Sequence, residues 1–129
     1  MPTIQPREYY SQQIHYLRKS IAYTDDGTEL TMGVIPSGSL ILKALSGVNV
    51  DVAFNAGTTN TVDMGTDADP NLYGTALAAG AIAFVPLDEA VAMTVAADTT
   101  MTVTTALTGA AATAGNGEAV IAYIPDNDG

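Results

Sequence analysis

Residues 48–73 read VNVDVAFNAGTTNTVDMGTDADPNLY. Apolar side chains occupy every second position at the start of this stretch and again after its middle, at Val48, Val50, Val52 and Phe54 and then at Val62 and Met64. A period of two is typical of a strand that buries one face. The small and polar residues at 55–60 suit a turn between two strands. The stretch therefore predicts a β-hairpin, followed by an ordered loop that Leu72 and Tyr73 attach to the core.

The rest of the chain repeats this pattern of short strands between turn signals. Further strands are predicted at 30–34, 39–45, 81–85, 91–95, 101–105 and 119–124. The segments at 39–45 and 81–85 are apolar on both faces, which predicts strands that are covered on both sides. Small residues at 76–80 and 108–117 predict connections, and a short helix at 87–93 is the main alternative to a strand in that region.

Roughly eight or nine short strands, spaced by about ten residues, predict an all-β fold, an antiparallel β-sandwich of jelly-roll type. The sandwich domain is predicted to span residues 14–125. Residues 1–13 contain two prolines and few aliphatic side chains, so we expect an extended N-terminal arm there. Residues 126–129 are expected to form a disordered tail.

The charged residues are few and unevenly distributed along the chain. The formal net charge is −10, and all four basic residues lie within the first 43 positions, where four acids balance them. The remaining 86 residues carry ten acids and no base. Such a surface repels the phosphates of nucleic acids and anionic membranes, so we expect neither as a partner. The acidity indicates a solvated surface, or else an outward acidic face combined with a neutral N-terminal part that docks on a partner.

The sequence shows no targeting or membrane signal. The first 13 residues lack a basic segment followed by an apolar run, so no signal peptide is expected. The most apolar stretch, at 76–85, is about half the roughly 20 residues that a membrane-spanning helix needs. With no cysteine in the chain, disulfide bonds and thiolate metal sites are excluded.

The residue types that carry chemistry do not form a recognisable catalytic or cofactor motif. The only histidine, His15, has no serine nearby in a nucleophile-elbow context, so a structural or interface role is expected for it. Asp67, Asp69 and Asn71 have the spacing that begins a calcium loop, but the glycine and the glutamate that such a loop requires are missing. Turns stabilised by Asp and Asn side chains explain this segment without a metal. We therefore predict no enzyme, no metal and no cofactor.

The segment FNAGTTNTVDMGTDADPNLY resembles one found in small virion structural proteins of tailed bacteriophages, of the head-decoration or cement type. The features shared with that family are a phenylalanine, an Asn-x-Gly-Thr-Thr-Asn turn, a Gly-Thr step and an Asp-Pro-x-x-Tyr sequence. A looser likeness extends to LRKSIAYTD and GAAATAGNGEAVIAYI. Residues 14–23 fit either a helical face or a strand face, and the resemblance favours the strand.

The resemblance implies a protein that binds the outer head surface at junctions of major capsid protein subunits and stabilises the shell. It also implies a homo-oligomer, with a trimer favoured over a dimer, located on the virion after assembly in the host cytoplasm. The interface residues expected to face the shell or a neighbouring subunit are Arg7, Tyr9, Tyr10, Arg18 and Lys19. The alternatives are a carbohydrate- or host-binding module on the virion and a structural component of the neck or tail.

Overall fold

Two antiparallel sheets pack face to face in a computed structural model that describes residues 13–126. The described chain contains nine strands: β1 His15–Ala22, β2 Glu29–Ile35, β3 Leu40–Ile41, β4 Gly47–Val52, β5 Thr59–Thr66, β6 Gly74–Ala78, β7 Ala83–Pro86, β8 Thr99–Thr108 and β9 Asn116–Ile124. Sheet A has the order β1-β9-β4-β7, with β3 also paired to β9. Sheet B has the order β2-β8-β5-β6. The predicted all-β sandwich is confirmed; the predicted arm at 1–13 and the tail at 126–129 lie almost wholly outside the described residues.

The strand pairs are nested along the chain. The first strand pairs with the last, β2 pairs with β8, β4 pairs with β7, and β5 pairs with β6, all of them antiparallel. Two further pairings, β9 with β4 and β8 with β5, join these pairs into the two sheets. The chain therefore passes from one sheet to the other at most of its connections.

The core lies between the sheets and follows from the period-two pattern. Alternate residues of β4, β8 and β9 point inward, and their side chains are almost completely buried: Val48, Val50, Met101, Val103, Ala119 and Ile121. Strand β1 adds Ile21, which is 2% exposed. The strand reading of residues 14–23 is therefore correct, because β1 occupies most of that segment.

The predicted hairpin between residues 48 and 64 is wrong. Strand β4 belongs to sheet A and β5 belongs to sheet B, so the turn between them carries the chain across the sandwich. Phe54 is buried at this crossing, and its backbone N–H donates to the carbonyl of Ala79. The local sequence of a hairpin and of a crossing is the same here, because both join two alternating strands through a polar turn.

Both asparagines of the Asn-x-Gly-Thr-Thr-Asn segment hold the crossing in place. The amide of Asn60 bonds the backbone of Ala56 twice, with Oδ1 accepting from its N–H at 2.7 Å and Nδ2 donating to its carbonyl at 3.0 Å. Asn55 Oδ1 accepts the N–H groups of Thr113 and Ala114 in the loop that leads into β9. Gly57 lies against that same loop, where a Cβ would come within 2.7 Å of the Ala110 nitrogen. The segment thus joins two loops at one end of the sandwich.

The loop after β5 is ordered, as predicted, but it uses different hydrogen bonds from those expected. The Thr66 hydroxyl accepts the N–H of Asp69, and the Asp69 carbonyl accepts the N–H groups of Thr66 and Leu72. Tyr73, which is 4% exposed, closes the loop by donating its N–H to the Met64 carbonyl. The turn therefore rests on a threonine hydroxyl and on backbone groups, rather than on Asp and Asn side chains.

Several shorter predictions need correction. The segment 39–45 contains only the two-residue β3 and a single 3-10 turn at Lys43–Leu45. The connection predicted at 76–80 is partly the strand β6, and 91–95 is irregular apart from one bridge between Thr94 and Leu40. The alternative helix at 87–93 is likewise absent from the described chain. Leu87 and Val95 are buried there as single anchors, so their apolar character does not require a continuous strand.

Candidate interaction surface

The outer face of sheet A carries a cluster of exposed apolar side chains. The side chains of β1, β9, β4 and β7 that alternate with the buried ones point to this face. Cross-strand pairing places Arg18 beside Val120, and Asn49 beside both Glu118 and Phe84. These side chains line a shallow groove of about 370 Å³. We call this surface the sheet A face, and it consists of Tyr16, Arg18, Asn49, Phe84, Glu118 and Val120.

The aromatic side chains of this face are unusually exposed to solvent. Tyr16 is 55% exposed and Phe84 is 43% exposed, and Ile82, just before β7, reaches 72%. Single exposed apolar residues are ordinary on protein surfaces, but neighbouring ones with a polar rim mark interaction sites. The aromatic pair flanking Val120 therefore makes the sheet A face the leading candidate surface for binding another protein.

One base and two acids lie on or beside the sheet A face, namely Arg18, Glu118 and Asp51. Arg18 Nη2 lies 2.6 Å from Glu118 Oε1, and this hydrogen bond, together with the negative charge of Glu118, raises the pKa of Arg18. Because both groups are accessible to water, the ion pair contributes little to stability. The pair leaves the carboxylate of Asp51 uncompensated: it accepts a hydrogen bond from Asn49 Nδ2 at 3.0 Å on the same outer side of β4, so this region carries a net negative charge.

The outer face of sheet B has a different chemistry. It presents Thr31, Thr61, Thr100 and Thr104, with Thr102 between them on the same side of β8 but only 1% exposed. Glu29 and Asp63 pair with Thr104 on either side, which makes this face acidic. Val34, at 54% exposure, is an isolated apolar residue there. The outer face of sheet A is therefore the more apolar of the two, and the outer face of sheet B is polar and acidic.

The structure separates the two basic residues that the sequence placed in one interface. Arg18 lies on the sheet A face. Lys19 is two residues from both Leu17 and Ile21, so it lies on the same inward-facing side of β1 as they do. An inward-pointing charge on an edge strand is a known device against edge-to-edge pairing, and β1 is an edge of sheet A. Arg7, Tyr9 and Tyr10 lie outside the described residues, so their part in an interface stays a prediction.

Sequence reasoning missed the residues that form most of the sheet A face. Phe84 was expected inside a buried strand, but β7 is an exposed edge whose apolar residues face both ways. A usable signal existed in β9, where Glu118 and Val120 alternate with the buried residues Ala119 and Ile121. The period of two marks Val120 as an apolar residue on the solvent side.

His15 lies at the start of β1, and its ring stacks on Tyr123 with the centroids 5.6 Å apart. Tyr123 is 9% exposed and belongs to the core cluster. This contact gives the histidine a packing role at the end of sheet A. Across residues 13–126, no group of three or more acidic or histidine side chains is arranged to hold a metal ion.

A larger open cavity of about 520 Å³ lies between the loop after β5 and the irregular segment before β8. Its walls include Tyr73, Val91, Thr94 and two carboxylates, Asp67 and Asp98. Burial raises the pKa of the Tyr73 hydroxyl, because the ionised phenolate loses its hydration there.

Within the described part of the chain, no helix has the length and apolar character needed to span a membrane.

Comparison with solved structures gives a likeness of the fold. No protein-family model and no curated protein sequence matches the chain. A solved chain described as belonging to the cyanophage Pam1 capsid asymmetric unit superposes with a TM-score of 0.68. The superposition covers 97% of this chain and 94% of that chain, at 18% sequence identity. At this identity the likeness concerns the fold, and it extends over nearly the whole sandwich.

Proposed function

We propose that this protein is a structural component of a bacteriophage virion that decorates or cements the head. The observation that carries the proposal is the likeness of almost the entire fold to a chain of a phage capsid asymmetric unit. The segment from Phe54 to Tyr73 supports it, because the features it shares with phage virion proteins are the ones that hold the sheet crossing and the following loop. Under this proposal the protein has no catalytic role and acts on the virion, after assembly in the host cytoplasm.

We also infer that the sandwich is a jelly roll. Nested antiparallel pairs arise when one long double-stranded ribbon is rolled up, so that its two halves stack as facing sheets. The orders β1-β9-β4-β7 and β2-β8-β5-β6 fit this construction. The short β3 is an addition at the edge of the ribbon, where it continues the pairing along β9.

The proposed mechanism is the burial of protein surface at junctions of major capsid protein subunits. Residues 1–13 would reach the shell, with Arg7, Tyr9 and Tyr10 as contact residues. Tyrosine and arginine are enriched in protein interfaces, because they combine a large contact area with directed hydrogen bonds. Several such contacts on one oligomer would act together, and linkage raises the overall affinity well above that of each contact.

The test is a pelleting assay with heads of the source phage from which accessory proteins have been removed. The full chain is expected to saturate at a fixed ratio to the major capsid protein, whereas a chain lacking residues 1–12 is expected to bind at least about tenfold more weakly. A V34D variant, altered on the acidic outer face of sheet B, serves as the control and is expected to bind like the wild type. Absence of binding to the shell would contradict decoration, and undiminished binding of the shortened chain would contradict the role of the arm.

The copy number per particle distinguishes the remaining places on the virion. A decorating protein follows the many subunit junctions of the shell, whereas a neck or tail component is confined to one vertex and a few copies. Quantifying the protein against the major capsid protein in purified particles separates these cases. A protein at one vertex would move the proposal to the neck or tail, and a chain that binds glycans instead of the shell would favour a host-binding module.

A further inference from the structure

We propose that the sheet A face is the surface of the sandwich that contacts the major capsid protein, and that the partner surface presents lysine or arginine side chains beside an apolar centre. The proposal rests on the proposed function, and it adds which face is covered and which chemistry covers it. It is carried by the exposed aromatic side chains, by the carboxylates beside them and by the attachment of residues 1–12 next to this face.

The apolar centre of the face consists of two exposed aromatic rings and a valine. Tyr16 in β1 and Phe84 in the edge strand β7 line one groove with Val120 of β9. Aromatic residues that a partner covers supply much of the binding energy at interfaces. Among the described strands of sheet B, Val34 is the one large apolar residue with comparable exposure. The anchors for a protein partner are therefore concentrated on sheet A.

An acidic groove of about 470 Å³ adjoins this centre. It shares Arg18 and Glu118 with the sheet A face, and it adds Asp25 and Asp51. Asp51 accepts a hydrogen bond from Asn49 Nδ2 at 3.0 Å, and Asp25 Oδ2 accepts a backbone N–H at 2.9 Å, so neither contact supplies a positive charge. Among the described residues, the ion pair in this groove is the one between Arg18 and Glu118. Two carboxylates beside the aromatic residues are thus left without a cation.

These carboxylates decide which partner the face can accept. A surface that covers Asp25 and Asp51 removes their water, and a buried carboxylate without a cation is costly. A second copy has a formal net charge of −10, so its surface would add further negative charge. Lysine and arginine side chains instead form charge-assisted hydrogen bonds with carboxylates. A basic protein surface with an apolar centre is therefore the partner that fits.

The arm that is proposed to reach the shell joins the chain beside this face. Residues 1–12 precede Gln13, which lies three positions before Tyr16. Twelve extended residues span at most roughly 40 Å, so a partner held by the arm stays within reach of the sheet A face. Six residues line the first groove and nine line the acidic groove, whereas a standard interface uses about 20–30 residues on each side. The face and the arm together suit one interface of ordinary size.

The test measures binding of the full chain and of two matched pairs of variants to heads from which accessory proteins have been removed. F84A is expected to raise the dissociation constant at least about tenfold, and V34A, which shortens an exposed apolar residue of sheet B, is expected to stay within about twofold of the wild type. D51N is expected to raise the constant about fivefold in 50 mM NaCl and less than about twofold in 500 mM NaCl, because salt screens the attraction. E29Q removes one negative charge from sheet B and is expected to stay within about twofold in both salts.

Far-UV circular dichroism and thermal unfolding establish that the four variants are folded. Binding that is weakened by F84A and by D51N, but not by V34A or E29Q, supports the proposal. Equal binding of all variants would overturn it while leaving head binding established, and an effect of D51N that persists in 500 mM NaCl would contradict recognition by charge. A wild type that does not bind heads would contradict the proposed function and this proposal together. A dimer of the free chain that F84A dissociates, measured by light scattering, would assign the face to a second copy instead.

Discussion

Two buried serines allow the energy of one hydrogen-bonded bridge to be measured against an internal control. Ser46 and Ser39 are both 0% exposed. The Ser46 hydroxyl donates to the Leu42 carbonyl at 2.8 Å and accepts the backbone N–H of Ala122 at 2.9 Å. It therefore connects the segment before β4 with β9. The Ser39 hydroxyl has no hydrogen-bond partner among the described residues.

The substitution S46A leaves the buried N–H of Ala122 without an acceptor. An unsatisfied buried donor costs about 1–3 kcal/mol, and the lost bond to Leu42 adds about 1 kcal/mol. We expect the free energy of unfolding to fall by about 2–4 kcal/mol, which for a domain of this size lowers the melting temperature by roughly 7–15 °C. The substitution S39A removes a hydroxyl that is buried without a partner, so we expect a change between zero and a stabilisation of about 1 kcal/mol.

The measurement is urea unfolding of the wild type, S46A and S39A under identical conditions. The midpoint should fall for S46A alone, with the slope of the transition unchanged in all three proteins. Because the chemical change is the same at both sites, differences in helix or strand propensity cancel. Equal destabilisation by the two substitutions, or a loss below about 0.5 kcal/mol in S46A, would refute the assignment of the energy to these hydrogen bonds.

Two further predictions concern positions where the fold places strong demands on a single residue. Burial raises the pKa of Tyr73, so its stabilising contribution is complete below the unfolded-state pKa of about 10 and is lost as the pH rises above it. Y73F should therefore show a shallower loss of stability between about pH 9 and 11 in urea titrations, and a slope equal to that of the wild type would contradict this. G47A should lower the free energy of unfolding by roughly 3 kcal/mol or more, because its Cβ would lie 2.1 Å from the carbonyl oxygen of Val85 in β7. G27A, at a φ of +73° with nothing within 4 Å of the added Cβ, should cost only about 1–2 kcal/mol, so equal losses would show that close approach of the strands is not the cause.

The sequence predicts the positions of the strands much better than it predicts how the strands pair or which of their faces are exposed. The alternation at 48–54 and at 119–124 predicts β4 and β9 correctly, because one side of each strand packs in the core and selects apolar residues at every second position. The destination of the strand after Asn60 is not encoded locally. A polar turn serves a hairpin or a sheet crossing equally, and only the pairing of β5 with β8, some forty residues later, decides between them.

The candidate surface was harder to predict for a related reason. An apolar residue such as Phe84 is expected in the core. Phe84 is exposed because its strand, β7, pairs only with β4 and forms the edge of sheet A. The opposite orientations of Arg18 and Lys19 follow from the strand period once β1 is recognised as a strand. A helical face at residues 14–23 would leave this orientation open, so the sequence-based prediction groups the two bases by their position in the chain.

The central position of β9 in sheet A has a consequence for biosynthesis. On one side β9 pairs with β1 and on the other with β4, so both of these strands depend on the segment that is synthesised last among the nine described strands. The strands of sheet B are all present once Thr108 has been made, whereas β1 has no partner in its sheet until residues 116–124 have been added. A chain that lacks β9 would expose the apolar inner faces of β1 and β4 to solvent. The synthesis of β9 is thus the step that closes the sandwich, because a chain without it cannot join β1 to β4.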